Sequence, residues 1–280
     1  MAIPDFLVVG HVVKDEAPNG WRLGGTASYA AIQASKLGLK AAVVTSAAES
    51  DLADAPLPAE VRGLPSQVTT VFRNEYSGGH RTQHVLSRAR VLSADGVPVE
   101  WRRAQIVLLG PVCGEVPGGL GHIFKGSLVG VSAQGWLRQV GPDGLVLPQP
   151  WRDIALWSVS RVLFVSEEDL GGDESPLGEW AYHVPILCVT RADRGARVHF
   201  DRGWRSIAAF PEKEVDPTGA GDVFATAFLI RLHETDDVAE ATRFASAAAS
   251  LSTAAEGTMA IPTRAQVEER LARSPEIVLR

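Results

Sequence analysis

The chain has 280 residues and a formal net charge of −6; 45% of its residues are hydrophobic and 21% are charged. This composition is typical of a folded globular protein and excludes a disordered, collagen-like or coiled-coil chain. The 22 Arg and five Lys residues are scattered, which argues against a nucleic-acid binder, and no apolar run approaches the roughly 18 residues of a membrane helix. We therefore expect a cytoplasmic protein with no nucleic-acid partner and no membrane partner.

Apolar, β-branched segments alternate with helical patterns along the chain, an order typical of parallel strands covered by helices on both faces. We predict central strands at residues 6–13, 41–45, 106–109, 128–131, 162–165 and 186–190. Helices are predicted at residues 26–37, 220–233, 238–255 and 264–272, and a hairpin at residues 197–208. The length allows two ordinary domains, or one large α/β domain with an insertion.

One segment breaks this alternation, because residues 68–91 alternate polar and apolar side chains around Ser77-Gly78-Gly79. The pattern predicts a hairpin that forms a small separate sheet with residues 14–22. Such a sheet is typical of a lid over a pocket, although the same pattern fits a surface hairpin equally well.

The spacing of the cysteine and histidine residues gives little support for a metal site. Cys113 and Cys188 lie in apolar segments, where buried hydrophobic side chains are expected rather than a disulfide or a metal pair. His80 and His84 have the spacing of two ligands on one helix face, but the surrounding pattern predicts a strand, which separates them by about 13 Å. We therefore expect the chemistry to lie elsewhere.

The sequence Asp216-Pro217-Thr218-Gly219-Ala220-Gly221-Asp222 comes directly before a predicted helix. Its two glycines allow a tight turn, and the first N–H groups of the helix point at whatever lies in front of them. Such a loop is a binding site for an anion such as a phosphate group. A carboxylate in the same turn, Asp222, can accept a proton from a hydroxyl that attacks the phosphorus atom. A plain helix cap with ordinary turn glycines is the alternative.

This loop resembles the C-terminal signature D-T-T-G-A-G-D of the ribokinase (PfkB) family of carbohydrate kinases, with Pro217 as its departure. The resemblance implies a ribokinase-like three-layer α/β/α sandwich with a mostly parallel central sheet. It implies one domain over residues 1–280, with a small β lid from residues 12–24 and 68–92. It also implies transfer of the γ-phosphoryl group of ATP to a hydroxyl with Mg²⁺, Asp222 as general base, and an anion hole formed by the amides of Gly219, Ala220 and Gly221.

The resemblance extends to the N-terminal half, where a Gly-Gly pair precedes a predicted helix and an aspartate follows the first strand. In the family these features contact the sugar. Tyr29 and Thr26 stand where ribokinases have Asn and Lys, which argues against a ribose pocket. The G-H-x-x-x-D strand that ends at Asp15, the Gly-Gly-Thr-Ala-Ser-Tyr start of the helix and residues 131–138 are more similar to the inositol-kinase branch, so a cyclitol such as myo-inositol is the implied acceptor. The residues expected to contact the acceptor are Asp15, Gly24, Gly25, Tyr29, Gln134 and, on the lid, Arg81.

The donor side resembles the family less closely. Ser166 and Asp169 replace the Asn and Glu of a family motif linked to Mg²⁺, which gives Asp169 an indirect role in the Mg²⁺ network, and Ala192 replaces the first Gly of the nucleotide turn. The residues implied for ATP binding are Thr190, Gly195, Thr218, Ser246 and Gly257. A monovalent cation such as K⁺ is implied beside loops marked by Asp216, Thr218, Ser252 and Gly257.

Two other functions stay open. A nucleoside kinase of the same family is favoured if an aromatic side chain, such as Phe72 or Tyr29, stacks on a base. A binding or regulatory protein without catalysis is allowed by the altered Ser166 and Asp169, although the intact loop before Asp222 argues against it. Members of the family often dimerise through the lid sheet, so a homodimer through the lid is a further expectation.

Overall fold

The computed structural model describes residues 2–18, 20–77 and 80–280, and the side chains of residues 76, 77, 80 and 81 lie outside the description. The strands are β1 (Phe6–Val9), β2 (Val13–Ala17), β3 (Gly20–Gly24), β4 (Ala41–Ala47), β5 (Glu60–Pro65), β6 (Thr70–Ser77), β7 (His80–Ser87), β8 (Ile106–Leu109), β9 (Leu128–Ser132), β10 (Arg138–Val140), β11 (Val146–Pro148), β12 (Val162–Ser166), β13 (Ile186–Thr190), β14 (Ala196–Phe200) and β15 (Gly203–Ile207). The helices are α1 (Thr26–Lys36), α2 (Glu49–Ala53), α3 (Ile154–Val159), α4 (Glu167–Leu170), α5 (Pro176–His183), α6 (Ala220–Thr235), α7 (Val238–Ser252) and α8 (Arg264–Arg273). None of the helices in these ranges is long and apolar enough to cross a membrane.

Nine strands of the described chain form the central sheet, in the order β15-β14-β13-β12-β9-β8-β1-β4-β5. Neighbouring strands are parallel except at β13–β14 and β14–β15, which are antiparallel. The six predicted central strands all contribute to this sheet, and the predicted hairpin is β14 with β15. The sequence pattern does not predict β5, which is an edge strand on β4. The mostly parallel central sheet is therefore confirmed.

Helices and loops cover both faces of the central sheet. Successive residues of a strand point to opposite faces, so each central strand packs against both layers. Phe6 and Val8 of β1 pack on one face with α1, α6, α7 and α8. Leu7 and Val9 pack on the other face, with α3, α5 and a group of tryptophans. This tryptophan cluster consists of Trp136, Trp151, Trp157 and Trp180. The predicted three-layer α/β/α architecture is therefore confirmed.

A separate sheet combines two distant segments of the chain, in the order β3-β2-β6-β7 within the described ranges. β2 runs parallel to β6, and the two outer pairs are antiparallel. This sheet is the predicted β lid, and its interior contains Val13, Phe72 and Val85. Gly78 and Gly79 of the predicted turn lie outside the described residues.

The chain leaves the central sheet earlier than predicted, since β1 stops short of residue 13 and the next residues cross into the lid. The crossing begins at Gly10, where a Cβ would collide with the Gly110 carbonyl oxygen. His11 follows and is buried, with ring nitrogens 2.8 Å from Thr70 Oγ1 and 2.9 Å from the Arg90 carbonyl oxygen. These contacts join the crossing, here called the lid hinge (residues 10–12), to the start of β6 and to the segment that follows β7.

A buried carboxylate completes the lid hinge. Glu115 accepts hydrogen bonds of 2.9–3.0 Å from the N–H groups of His11, Val112 and Cys113. His11, Cys113 and Glu115 place potential metal ligands within 4.8 Å of one another, but the imidazole and carboxylate atoms already have protein partners. Burial, with a further contribution from Glu115, raises the pKa of the Cys113 thiol to about 12. Both Cys113 and Cys188 are buried free thiols, as predicted.

The C-terminal residues lie along the edge strand β15. The N–H and carbonyl groups of Arg280 bond to the carbonyl and N–H groups of Ser206 at 2.9 and 2.6 Å. Arg243 of α7 fixes the same segment by donating to the carbonyl oxygens of Leu271, Ser274 and Ile277. The tail is therefore held against the outer edge of the central sheet.

Candidate active site

The predicted anion loop lies at the N-terminus of α6. Gly219 has a φ of 77°, in the left-handed region that favours glycine, and it directly precedes the first helical residue. The N–H of Ala220 donates to the Pro217 carbonyl oxygen at 3.2 Å. Among the predicted anion-hole amides, those of Gly219 and Gly221 are therefore better placed for an anion than that of Ala220.

Asp216 braces this loop. Its carboxylate accepts hydrogen bonds from the N–H groups of Thr218 and Gly257, both at 2.9 Å. Burial alone would raise the pKa of Asp216, but the bonds from Thr218 and Gly257 outweigh it and lower the pKa below its ordinary value. Ser252, also predicted beside the cation loops, donates to the Ala249 carbonyl at 2.8 Å. A monovalent cation here would therefore be held mainly by main-chain oxygens.

Asp222 lies in the first turn of α6 and is half-buried. Its pKa is raised from 3.8 to about 6, chiefly because burial penalises the charged form. Nearby Asp169 raises the pKa further, while the Thr26 hydroxyl and Arg138 oppose the rise. A carboxylate with this pKa is ionised at neutral pH and is a stronger base than an exposed aspartate. Its surroundings therefore suit a general base.

Arg138, on β10, is a site residue that the sequence does not reveal. Its Nη2 atom lies 3.0 Å from Asp169 Oδ1, and the two side chains are only 11% and 5% exposed. The Ser166 hydroxyl donates to Asp169 Oδ2 at 2.6 Å. Both carboxylate oxygens of Asp169 are thus engaged, so the residues fit a Mg²⁺ ion held through water and donor phosphates better than one bound directly by Asp169.

The two glycines before α1 are required by close packing. A Cβ on Gly24 would collide with the Asp15 carboxylate. Gly25 has a φ of 81°, and a Cβ there would lie 2.6 Å from the His11 carbonyl oxygen. The structure thus brings the predicted acceptor residues Asp15, Gly24 and Gly25 together, where the lid joins α1.

Tyr29 lies directly under the anion loop. It is 2% exposed, and a Cβ on Gly219 would collide with its ring. Burial raises the pKa of the Tyr29 hydroxyl, and Asp216, Asp15 and Asp222 raise it further. These influences place the ring among the three carboxylates, so Tyr29 connects the acceptor side of the site with the anion loop.

The two remaining acceptor candidates, Gln134 and Arg81, lie on different elements. Gln134 is half-buried in a 3₁₀ turn (Ala133–Trp136) that follows β9 at the carboxyl edge of the sheet. The Trp136 indole N–H donates to the Val116 carbonyl oxygen at 2.9 Å and helps to fix this turn. Arg81 belongs to β7, but its side chain lies outside the described residues.

The predicted nucleotide turn joins β13 to β14. Thr190, at the end of β13, is in register with Ser166 at the end of β12. The N–H of Arg191 donates to the Gly195 carbonyl oxygen at 2.7 Å and closes the turn. Ala192 adopts a left-handed φ of 50° where the family has glycine, so the turn keeps its shape despite this departure.

A pocket of about 400 Å³ lies beside this turn, within the size range of small-molecule sites. It opens at the carboxyl ends of β13 and β15, the edge of the sheet where the predicted donor residues lie. Ser246, which was expected to face the adenine, is only 5% exposed on α7. The pocket is lined by Arg191, Arg194, Ser206, Ile207, Ala208, Glu276, Ile277, Val278 and Arg280.

One region of the chain matches a known protein family. The sequence profile of the pfkB family carbohydrate kinases matches residues 175–264, a region that contains the nucleotide turn, the anion loop, α6 and α7. The chain belongs to this family. The match includes Asp222 and the residues that brace the anion loop.

Individual proteins are similar to this PfkB-family chain over more of its length than the family profile. Inositol 3-kinase of Zea mays is 31% identical over 233 residues, which cover 79% of this chain and 57% of that protein. One similar structure is a pyrophosphate-dependent kinase in the ribokinase family, complexed with a pyrophosphate analog and myo-inositol. Its TM-score is 0.79 at 23% identity, and the alignment covers 95% of the present chain and 99% of the kinase. Ribokinase of Arabidopsis thaliana, complexed with ribose and ATP, has a TM-score of 0.75 at 22% identity, and the alignment covers 97% of the present chain and 99% of the ribokinase. These structures confirm the ribokinase-like fold. The matched stretches span 31% to 57% of the length of the curated relatives.

Proposed function

We propose that this protein transfers a phosphoryl group to a hydroxyl of a small sugar or polyol. The observation that carries the proposal is Asp222, a half-buried carboxylate with a raised pKa in the first turn of the helix that the anion loop opens. A phosphoryl transfer needs a base for the acceptor hydroxyl and a site for the negative charge on the phosphoryl group, and consecutive residues here supply both. Asp15 and Tyr29 approach the same loop from the acceptor side.

The proposed reaction follows from this arrangement. Asp222 accepts the proton of the acceptor hydroxyl as its oxygen attacks the phosphorus atom. The N–H groups of Gly219 and Gly221 stabilise the negative charge on the transferred phosphoryl group. Asp15 holds another hydroxyl of the acceptor, and the lid excludes water that would otherwise receive the phosphoryl group. Mg²⁺ bound to the donor would neutralise its charge, with Asp169 holding it through water.

We propose ATP as the donor, with the nucleotide turn and its neighbouring pocket as the binding region. A pocket of about 400 Å³ beside the turn gives room for a nucleoside, and Arg191 supplies positive charge for phosphates, while Arg194 is paired with Glu167. Pyrophosphate is the second candidate, because one similar structure is a pyrophosphate-dependent kinase. Pyrophosphate carries no nucleoside to occupy the pocket, so the pocket favours ATP.

We propose a cyclitol such as myo-inositol as the acceptor. The proposal is supported by the 31% identity with inositol 3-kinase of Zea mays over most of this chain. A nucleoside acceptor has less support, because Tyr29 and Phe72 are 2% and 4% exposed and neither ring has an open face for stacking. The intact anion loop and the raised pKa of Asp222 argue against a protein without catalysis.

A matrix of donors and acceptors tests the function. Purified protein is incubated with ATP or pyrophosphate and with myo-inositol, ribose or adenosine, and the phosphate ester is detected by ³¹P NMR. We expect product from ATP with myo-inositol. The variant Asp222→Asn, which keeps the side-chain shape, is the control and should be inactive. If pyrophosphate is the one donor that gives product, the assignment of ATP as donor is wrong, and if adenosine is the one acceptor, the assignment of a cyclitol is wrong. If no pair gives product, the proposed phosphotransferase activity is wrong.

The pH dependence of the reaction is a second test. Because the pKa of Asp222 is raised to about 6, the base is ionised above this pH and protonated below it. We therefore expect kcat/KM to be level near pH 8 and to fall about tenfold per pH unit below about pH 6. The measurement is a pH profile at saturating donor, with stability checked at each pH. A profile that stays level to pH 4.5 would exclude Asp222 as the titrating base.

The single-domain boundaries and the homodimer through the lid remain predictions. Within the described ranges, the lid sheet ends in the strands β3 and β7, and the Val85 N–H of β7 already donates to the Gly144 carbonyl oxygen at 2.8 Å. Edge strands carry backbone groups that a second subunit can pair with, so β3 is the edge that supports a dimer through this sheet.

A further inference from the structure

The tail (residues 274–280) runs antiparallel to β15. Arg280 and Ser206 exchange both of their backbone hydrogen bonds, which is the pattern of a hydrogen-bonded pair between antiparallel strands. This direction carries the residues before Arg280 toward the carboxyl end of β15, and it places Val278 beside Ala208. The nucleotide turn lies at the same end of the sheet. The tail therefore reaches the pocket that we propose for the donor.

The side chains of the tail alternate between the core and this pocket. Ile277 and Leu279 are partly buried and pack against the hydrophobic cluster of α6, α7 and α8. Glu276, Val278 and Arg280 alternate with them and line the pocket, which Ile277 also borders. Such alternation is typical of an extended chain with one face packed on a core. The tail is thus anchored on one side and presents its other side to the pocket.

Arg243 of α7 fixes the tail in this position. Its guanidinium donates to the carbonyl oxygens of Leu271, Ser274 and Ile277 at 2.7–2.9 Å. Together with the pairing of Arg280 on β15, these bonds hold both ends of the segment that borders the pocket. A binding surface that is already ordered loses less conformational entropy when a ligand binds.

The nucleotide turn and the tail bring different chemistry to the pocket. Arg191 of the turn lines it, and its Nε atom has no hydrogen-bond partner among the described residues. A guanidinium suits a phosphate group. The tail contributes the apolar side chain of Val278, which is 41% exposed, and an apolar surface suits the base of a nucleotide. Pyrophosphate has phosphate groups but no base, so this surface favours a donor that carries a nucleoside.

We propose that the tail is the wall of the donor site that contacts the nucleoside, with Val278 as a residue that determines the preference for ATP over pyrophosphate. The inference rests on the proposed function, because it assigns residues to the donor of that reaction. The match to the family profile ends at residue 264 and does not include the tail.

Two variants change this wall. Val278→Ser removes apolar surface and keeps the backbone pairing, whereas a chain that ends at Ser274 removes the wall with one acidic and one basic side chain, so that the net charge is unchanged. Binding of ATP and of pyrophosphate is measured by calorimetry with Mg²⁺ and without acceptor. We expect the Kd of ATP to rise about 3- to 10-fold in Val278→Ser and at least about 10-fold in the shortened chain.

Two comparisons show whether the effect belongs to the nucleoside. The Kd of pyrophosphate should change by less than about twofold in both variants, because the phosphate groups bind elsewhere. Val99→Ser makes the same substitution at another exposed valine, outside the pocket, and should bind both donors as wild type does. In wild type, ATP should slow hydrogen exchange at residues 191–195 and at the tail, and pyrophosphate should slow it at residues 191–195 alone.

The outcomes separate this inference from the proposed donor. If wild type binds ATP and Val278→Ser binds it equally well without protection of the tail, the wall is wrong and ATP stands as the donor. A loss of pyrophosphate binding as large as the loss of ATP binding also overturns the wall. If wild type binds pyrophosphate but not ATP, the proposed donor is wrong, and the wall fails with it. Thermal unfolding shows whether the shortened chain is folded, and Val278→Ser with hydrogen exchange decides if it is not.

Discussion

Replacing Asp222 by Asn is expected to reduce kcat by about 10²- to 10⁴-fold, the usual contribution of a general base. The amide has the shape of the carboxylate but cannot accept the proton of the acceptor hydroxyl. The proposed donor site lies on other residues, Thr190 and the turn after it, so the KM of the donor should change little. Steady-state kinetics with the donor and acceptor found in the activity screen make the comparison. Retention of near wild-type kcat would contradict the role of Asp222.

The same substitution is expected to leave the protein as stable as wild type, or more stable, at pH 7.5. The pKa of Asp222 is about 6 in the folded protein and 3.8 ordinarily, so the folded state binds the proton more tightly than the unfolded state. Wild type therefore loses stability as the pH rises from about 4 to about 6, by at most about 3 kcal/mol, and the loss persists above that range. Asn carries no charge and avoids this loss.

Urea unfolding of Asp222→Asn and wild type at pH 4 and pH 7.5 tests this expectation. The variant should gain stability relative to wild type between the two values. A free energy of unfolding more than about 1 kcal/mol below that of wild type at pH 7.5 would mean that the carboxylate supports the fold rather than the reaction.

Replacing Gly219 by Ala is expected to disrupt the anion loop, whereas Gly221→Ala two residues later should not strain it. Gly219 has a φ of 77°, and a Cβ there would collide with the buried ring of Tyr29. At Gly221 a Cβ would meet no atom within 4 Å. We expect Gly219→Ala to lose about 2 to 4 kcal/mol of stability through backbone strain and overpacking. It should also lose at least about 100-fold in kcat through displacement of the loop.

Chemical unfolding of the two alanine variants makes a matched comparison, because each adds one methyl group to the same loop. Gly221→Ala should be as stable as wild type, since alanine favours a helical position over glycine. A loss of activity without a loss of stability in Gly221→Ala would report a methyl group that blocks the donor. Equal stability of the two variants would contradict the contact between Gly219 and Tyr29.

The fold could be predicted where burial leaves a pattern in the sequence. The central strands are continuous apolar runs because helices and loops cover both faces, and their positions are confirmed. β5 is missed because Glu60–Pro65 is an edge strand whose residues are all exposed or half-buried. The apolar pattern predicts a β1 that is too long, because Gly10, His11 and Val12 are as buried as strand residues although they form the lid hinge. Burial alone does not show where a chain changes sheets.

The site was predictable to the extent that its residues are consecutive. The anion loop is one uninterrupted sequence, so Gly219 and Asp222 can be identified by their spacing and family pattern. Arg138 and Thr26 reach the same place from distant parts of the chain, and only the fold shows this. Thr26 stands in the sequence merely as a substitute for Lys, and Arg138 as one arginine among 22. Contacts between distant residues leave no local signal to read.

The two faces of the central sheet contribute different parts of the cleft. The face packed by α1, α6, α7 and α8 supplies Asp222, the proposed base, and the anion loop at the start of the long helix α6. The opposite face, with the tryptophan cluster, supports the 3₁₀ turn of Gln134 and the strand β10 that follows it. Substitutions in that turn can alter what Gln134 offers to an acceptor while the helices that hold the anion loop stay unchanged. In evolutionary terms, this part of the proposed acceptor site can diverge by itself, whereas Tyr29 is tied to the anion loop by its contact with Gly219.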